Sequence, residues 1–371
     1  MSPVTFGSVF WLCFWPRLLM AVIFTSVGYL GSGGDPQAYH ILGAYSAAFV
    51  QNPATASLEE LITQWWDNSE PFDLKFGHLL LEIQGGGLLQ AGNTALPIIA
   101  GHAVLYSIWN HPFIWVAVQC VVSAAATSAL CAAFKLDRRE TLWLAFNPIS
   151  LYFAGTHYKE SLVESAIVTI TAVVQARRHY AFAALAMVFL VLFRLPFAGL
   201  VLPIFMRSLF AKVDGRLTLV ALLGLLLVVP PFYWGGIQGE TGPVYALINS
   251  NEVTRRILAP LLGLLMPVPF LESLLDGFGV LLTIYGLFYW FLLCALLLHL
   301  AVSRYTRPWV VIAVFLSMLI GYYSLGQLTG KARFYAGFLP IMIIAFLSVR
   351  QDAAIWLKRR MDERALAAQR I

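Results

Sequence analysis

Long apolar stretches recur along the whole chain, and this pattern constrains the fold more than any other feature. Of the 371 residues, 60% are hydrophobic and 12% are charged, which is typical of a protein that crosses a membrane several times. A spanning helix needs about 20 apolar residues, and fewer where it is broken against neighbouring helices. The candidate spans are 8–30, 112–134, 141–155, 162–176, 180–206, 217–234, 278–301, 308–325 and 334–349.

The stretch 180–206 carries Arg194 and Pro196 at its middle. A charge and a proline are better accommodated where two short helices meet than in lipid, so we count this stretch as two crossings. The sequence therefore predicts an all-α, polytopic membrane bundle of about ten transmembrane helices. Residues 79–109 are interrupted by glycines and a proline, and they form either a re-entrant or interfacial stretch or two further crossings, which would make about twelve.

The distribution of Lys and Arg tests this count, because cytoplasmic loops collect basic residues. Most of the 24 basic residues fall in alternate loops and in the tail, which places both termini in the cytoplasm. Arg17 interrupts the first span and is expected to snorkel toward the cytoplasmic face. The cations that instead face outward are Lys75, Lys159, Arg194, Arg255, Arg256, Lys331 and Arg333.

These assignments divide the chain into a transmembrane domain, 1–349, and a basic cytoplasmic tail, 350–371. The expected location is the plasma (inner) membrane, with several crossings. The sequence pI near 9.0 comes from the cytoplasmic loops and the tail. It therefore indicates contact with membrane lipids and no nucleic-acid partner.

The first outer loop, 31–82, is long and acidic. Within it, Ser57 and Glu60 have the spacing of a capping box. The apolar residues that follow, up to Trp65 and Trp66, recur at helical spacing. This pattern predicts an interfacial helix on the outer leaflet, although a helix packed on the outer surface of the protein itself would show the same stripe.

Asp35 lies at the start of that loop, directly before Pro36. Pro is well placed at the first turn of a helix, so Asp35 can serve as the N-cap and nothing more. A carboxylate held at the boundary between membrane and water can also act as a general base toward a hydroxyl group. The two roles are compatible, and both stay open.

A second polar cluster, 156–161, connects the short spans 141–155 and 162–176. Because both spans are short, Lys159 and Glu160 should lie below the outer surface in a recess lined by protein, where charges need partners or ligands. The structural alternative is that they only form an ion pair within the bundle. His157 alone does not identify a metal site, because zinc needs further ligands.

Several outward cations come from separate helix ends on the same face, which predicts a shared anion site. Each alone could be an ordinary exterior charge, because the sidedness rule is statistical. Guanidinium groups bind phosphate through two donors, and lysine acts as a point charge. The anion expected at this depth is the phosphate or diphosphate head of a lipid. Besides Lys159, the candidates are Arg194, Arg255, Arg256, Lys331 and Arg333, the last being followed by Tyr335.

The chain resembles the GT-C type membrane glycosyltransferases that use polyprenyl-phosphate-linked sugars. The resemblance covers most of the chain, and the sequence departs from it in lacking a second acidic residue beside Asp35 and a soluble C-terminal domain. The shared features are Gly34-Asp35-x-x-x-Tyr39 after the first span, the interfacial helix from Ser57 to Trp66, His157-Tyr158-Lys159-Glu160-Ser161 after Asn147-Pro148, Phe193-Arg194-Leu195-Pro196 between two short helices, and Lys331-x-Arg333-Phe334-Tyr335 before a last span with Pro340.

The resemblance implies an enzyme of cell-envelope or exopolysaccharide biosynthesis. It would transfer a sugar from a polyprenyl-phosphate-linked donor to a glycan, lipid or protein acceptor on the extracytoplasmic face. Asp35 would be the catalytic base, and the donor phosphate would be held by Lys159, Arg194, Lys331 and Arg333. Further contacts with the substrate would come from Tyr39, His157, Glu160, Arg255, Arg256 and Tyr335.

Three questions stay open at this point. A divalent metal could bind through Asp35, Glu160 and Glu240, although these show no recognisable spacing, and no cofactor is certain. Wzy-like polymerases share the span count and the outward arginines, but both of their substrates are lipid-linked glycans. A flippase or other transporter should show internal repeats and charged groups near the bilayer midplane. No paired halves are visible in this sequence.

Overall fold

The computed structural model describes residues 5–29, 96–210, 279–303, 307–323 and 336–368, with isolated positions at 39–47 and 214–220. These residues are helical apart from short turns and connections, so the prediction of an all-α fold is confirmed for them. The helices are α1 (Phe6–Ser26), α2 (Leu96–Ile108), α3 (Phe113–Phe134), α4 (Arg138–Ala145), α5 (Pro148–Ala154), α6 (Glu160–Ala176), α7 (Tyr180–Leu200), α8 (Leu202–Phe205), α9 (Gly279–Val302), α10 (Pro308–Tyr323) and α11 (Leu339–Ala368), with a 3-10 helix at Arg207–Phe210.

The chain forms two compact units, and the described candidate residues lie in the first. The first unit comprises Met1–Val201 and Asp276–Leu281, and the second comprises Leu202–Leu275 and Leu282–Ile371. In the first unit α3 is the central helix, because α1 and α6 both pack along it while α7 packs against α6. In the second unit α10 packs against α11 and against the 3-10 helix.

Two of the described helices, α1 and α3, are long and apolar enough to cross a membrane. The other apolar helical segments found in the same part of the chain are shorter: Ile98–Ile108, Tyr180–Arg194, Gly286–Val302, Pro308–Met318 and Leu339–Gln351. A segment of 10–17 residues is below the length of about 20 that a straight span needs. The count of about ten crossings therefore stays a prediction.

Residues 141–155, predicted as one span, form parts of two short helices, α4 and α5. The break follows from local chemistry at Asn147. Its side-chain oxygen accepts a hydrogen bond from the backbone N–H of Ile149 at 3.2 Å, and Pro148 occupies the first turn of α5. An N-cap followed by proline starts a new helix, because proline has no N–H to continue the preceding one.

The break predicted within 180–206 is present. Arg194 lies inside α7 with non-helical backbone angles, φ −158° and ψ 69°, so two helical pieces meet at this residue. Pro196 follows two residues later and lacks the N–H that would bond to the preceding turn. The kink turns a long apolar stretch into two shorter segments with a charged side chain at their junction.

Arg17 does not snorkel toward the cytoplasmic face, and that expectation is wrong. Its side chain is 0% exposed. Nε donates to the Ser123 hydroxyl at 2.9 Å, and Nη2 donates to the Thr127 hydroxyl at 3.3 Å, both on α3. Nη1 donates to the Cys13 carbonyl at 2.8 Å. The acceptors that lipid headgroups would have offered are supplied inside the unit, so the guanidinium stays between the helices.

A carboxylate lies near this buried cation. Glu164 of α6 is buried and interacts electrostatically with Arg17. The Ser150 hydroxyl donates to Glu164, and the same hydroxyl accepts a bond from the Asn147 side-chain amide at 2.7 Å. Hydrogen-bond partners are thus supplied to the guanidinium of Arg17 and to one oxygen of Glu164 in the interior of the first unit.

Removing Arg17 should destabilise the protein because the Cys13 carbonyl and the hydroxyls of Ser123 and Thr127 lose their buried donor. We expect Arg17→Met to lower the free energy of unfolding by about 1–3 kcal/mol. The double variant Arg17→Met/Glu164→Gln should lose less than the sum of the single variants. Arg139→Met, at an exposed position of α4, is the matched control. Unfolding in detergent micelles measures all four, and strictly additive losses would contradict the coupling.

Candidate functional site

The described candidate residues surround the connection between α5 and α6. His157 is 1% exposed, Lys159 6%, Glu160 3% and Arg194 9%. Such residues are usually solvent-exposed unless they are paired or bind a ligand. The connection therefore brings titratable side chains into the interior of a helical unit, as the predicted recess requires.

The path of this connection depends on Gly155, the residue that ends α5. A Cβ atom at this position would lie 2.9 Å from Cδ2 of Phe24 and 3.2 Å from backbone atoms of α1. Only glycine lets the chain pass so close to α1 without a shift. From the side of α3, the amide Nε2 of Gln119 donates to the carbonyl of Tyr158 at 2.7 Å. The connection is thus held by both helices.

Glu160 and Arg194 form a buried ion pair. Nη2 of Arg194 lies 2.5 Å from Oε1 of Glu160. Glu160 is the first residue of α6, where the partial positive charge of the helix N-terminus favours a carboxylate. The guanidinium also lies 5.6 Å from the ring centroid of Phe197. Two predicted site residues are therefore brought together, and their charges neutralise each other.

Lys159 is brought against Tyr39, another residue of the predicted site. The Lys159 Nζ lies 5.9 Å from the centroid of the Tyr39 ring, which is within the range of a cation–π interaction. Both side chains are buried. Tyr39 lies 13 residues after the end of α1, so this contact joins the chain that follows α1 to the start of α6.

Two hydrogen-bonded histidines, His102 and His157, form a relay beside the connection. His102 was not among the predicted site residues. Nδ1 of His102 lies 2.9 Å from the carbonyl of Ile98, which can only accept, so Nδ1 carries the proton. Nε2 of neutral His102 is then an acceptor, and it lies 3.2 Å from Nδ1 of His157. The His102 ring also stacks on Trp115 at 3.7 Å. His157 must therefore donate through Nδ1 and present Nε2 as an acceptor.

A third imidazole, His40, lies beside this relay. Its ring centroid is 5.3 Å from that of His157, and its Nδ1 lies 2.6 Å from the hydroxyl of Tyr106. Burial lowers the pKa of His157 well below its usual range, and the nearby imidazoles of His102 and His40 lower it further. His157 is consequently neutral near pH 7.

The other predicted site residues, Asp35, Arg255, Arg256, Lys331, Arg333 and Tyr335, lie outside the described residues. The interfacial helix predicted around 57–66 also lies outside them, so convergence of these elements with Lys159 stays a prediction. No group of three or more His, Cys, Asp or Glu that could hold a metal is found in the described part of the chain. A scan against protein-family models and searches of curated proteins and solved structures find no match to this chain.

The buried neutral state of His157 makes stability depend on pH. Its pKa is about 6.5 when unfolded and lower when folded, so protons favour the unfolded chain. Its contribution is therefore complete above about pH 6.5 and is lost as pH falls toward the folded pKa. We expect the melting temperature to drop between pH 7.5 and 5, and His157→Gln to reduce that drop. His179→Gln, at an exposed histidine, should leave it unchanged, and an equal effect of both variants would contradict the assignment.

Proposed function

We propose that this chain is an integral membrane glycosyltransferase that uses a polyprenyl-phosphate-linked sugar. It transfers the sugar to a glycan, lipid or protein acceptor on the extracytoplasmic face, in cell-envelope or exopolysaccharide assembly. The observation that carries the proposal is the buried cluster of Lys159, Glu160 and Arg194 beside Tyr39. Charged groups inside a helical unit are costly, and they commonly mark a substrate site in a membrane protein.

Membrane insertion is supported by the outer surfaces of the helices. On α1, exposed apolar side chains recur at helical spacing, and similar exposed stripes lie on α7 and α9. Soluble proteins rarely leave such continuous apolar surface uncovered, whereas lipid covers it. The exposed residues are Trp11, Trp15, Leu19 and Val22 on α1, Phe182, Leu185 and Val188 on α7, and Leu287, Phe291 and Leu298 on α9. We therefore propose a multi-pass protein of the plasma (inner) membrane with both termini cytoplasmic.

In the proposed reaction, an acceptor hydroxyl loses its proton to Asp35 while its oxygen attacks the anomeric carbon. The bond between that carbon and the phosphate oxygen breaks, and the leaving lipid phosphate takes the electron pair. Lys159 stabilises this charge, together with Lys331 and Arg333. Arg194 can contribute as well, because a guanidinium has five N–H donors and the contact with Glu160 involves Nη2.

A transporter of lipid-linked saccharides is the second candidate, and one observation favours it. Arg17 is near the middle of α1, and Glu164 lies one turn inside α6 from Glu160. Both are buried. Charged groups near the bilayer midplane are expected in transporters. The same pair has a structural role between α1, α3 and α6, so we rank the transferase first.

Lys159→Met tests the phosphate contact. The purified protein in nanodiscs is given a panel of decaprenyl-phosphate-linked monosaccharides, with a glycolipid extract of its source cells as acceptor, and released decaprenyl phosphate is measured by mass spectrometry. Loss of one charge-assisted contact in the transition state should cost about 2–4 kcal/mol, a rate loss of about 30-fold to 1000-fold. Lys135→Met, at the exposed end of α3, removes the same charge and should leave the rate unchanged.

Three outcomes of this assay would count against the proposal. A folded Lys159→Met protein with wild-type turnover would remove Lys159 from the phosphate site. Turnover only of diphosphate-linked oligosaccharides, with elongated glycan as product, would identify the polymerase. Movement of the lipid-linked sugar across the bilayer without its consumption would identify the transporter.

Sidedness can be tested at the two ends of α3. We propose that His111, just before this helix, faces outward and that Arg138, just after it, faces the cytoplasm. Both positions are exposed, so single cysteines there can react. In a variant without the native cysteines, a membrane-impermeant thiol reagent should label His111→Cys in intact cells, and Arg138→Cys only after permeabilisation. The reverse pattern would place the α5–α6 connection on the cytoplasmic side.

A further inference from the structure

Buried polar atoms without hydrogen-bond partners are concentrated around the start of α6. In the described part of the chain they include Nε2 of His157, Oε2 of Glu160, Oγ of Ser161 and Oε1 of Gln119. Each residue is almost fully buried. Native proteins leave few such atoms unsatisfied, because water has been removed without replacement. A local concentration therefore indicates a ligand that supplies the missing partners.

These atoms belong to one place in the fold. His157 and Glu160 are three residues apart, at the end of the α5–α6 connection and the start of α6. Gln119 reaches the same point from α3, because its amide donates to the carbonyl of Tyr158. The local packing thus brings together side chains from the α5–α6 connection, from α6 and from α3.

Three of these four atoms can only accept a hydrogen bond, whereas Nε1 of Trp115, a donor that is also buried without a partner, lies on the far side of His102 from His157 in the relay. The relay through His102 makes Nε2 of His157 an acceptor. Gln119 uses its NH₂ group on a carbonyl, so its remaining oxygen is an acceptor. Glu160 has one oxygen engaged by Arg194 and one open. Ser161 can donate or accept.

Buried hydrogen-bond acceptors favour a part of the substrate that carries hydrogen-bond donors. A lipid phosphate diester has acceptor oxygens only, so it would face His157, Glu160 and Gln119 without a hydrogen to share. Sugar hydroxyls each carry a donor and would satisfy the same atoms. A site built for hydroxyl groups discriminates strongly against analogues that lack them, because its buried polar atoms are then left unpaired.

We infer that His157, Glu160 and Gln119 form a hydroxyl-binding subsite that holds the sugar of the lipid-linked donor, while Lys159 contacts the phosphate. This inference rests on the proposed function and assigns the sugar and the phosphate of the donor to different residues of the site. Arg194 is a positioning residue for the subsite, since its contact with one oxygen of Glu160 orients the other oxygen. His102 acts in the same way on His157.

Two kinds of probe separate sugar recognition from phosphate recognition: decaprenyl phosphate alone, and the sugar-linked probes decaprenyl-phosphoryl glucose, mannose and galactose. Their dissociation constants are measured for the full chain in nanodiscs. His157→Phe removes the acceptor Nε2 and should weaken binding of the sugar-linked probe about tenfold, while decaprenyl phosphate binds as before. His157→Gln keeps an acceptor near the position of Nε2 and should restore most of the loss.

Three further variants complete the comparison. Lys159→Met should weaken both probes by a similar factor, because both carry the phosphate. His179→Phe, at an exposed histidine, should change neither. Gln119→Met removes a second acceptor and should also weaken binding of the sugar-linked probe while leaving binding of decaprenyl phosphate unchanged. This variant keeps the test valid if His157→Phe does not fold.

The results separate the subsite from the proposed function. If the wild-type chain binds both probes and the acceptor variants weaken both equally, or weaken neither, the subsite is overturned and the glycosyltransferase proposal stands. If the wild-type chain binds no probe, the proposed function is overturned and the subsite with it. Selective loss of the sugar-linked probe supports both.

Discussion

The buried ion pair between Glu160 and Arg194 is the interaction on which the geometry of the site depends. It joins the first residue of α6 to the non-helical residue of α7, two places where the backbone alone would not fix the side chains. Burying either charge alone would be costly, so each residue requires the other. The kink places the guanidinium beside the carboxylate, and the pair in turn keeps the kink and the helix start together.

The same requirement shapes the interior below the site. Gln119, Ser123 and Thr127 follow one another at intervals of four residues and therefore lie on one face of α3. Gln119 holds the α5–α6 connection, while Ser123 and Thr127 accept bonds from Arg17. A single polar stripe on an apolar helix thus supports both the site and the buried cation of α1.

Local signals in the sequence were sufficient for part of this structure. The apolar stretches predicted helices, and Arg194 followed by Pro196 predicted the break in α7. Lys159 and Glu160 are away from bulk water, as predicted for the connection 156–161, although one of the two short spans behind that prediction is interrupted at Asn147 and Pro148. Each of these features depends on the residue itself and its immediate neighbours, and this explains why one sequence was enough to find it.

Features that depend on distant pairs were missed or mistaken. Arg17 was expected at the headgroups because snorkelling is the usual solution for a lone arginine in an apolar helix, whereas its actual partners lie on α3, more than 100 residues away in the chain. The interruption of 141–155 is signalled locally by Asn147 and Pro148, an N-cap followed by a proline at the first turn of a helix, within an otherwise apolar stretch. The contact between His102 and His157 joins residues far apart in the chain, and no spacing rule links them.

The charges at the connection also bear on the kind of lipid head that fits. Lys159 and Arg194 contribute two positive charges and Glu160 one negative charge, which leaves a formal net charge of +1 for the three residues. A sugar joined to a lipid through one phosphate is a diester with a single negative charge, which these residues balance. We propose that Lys331 and Arg333 balance the second negative charge, which develops on the phosphate as it leaves the sugar.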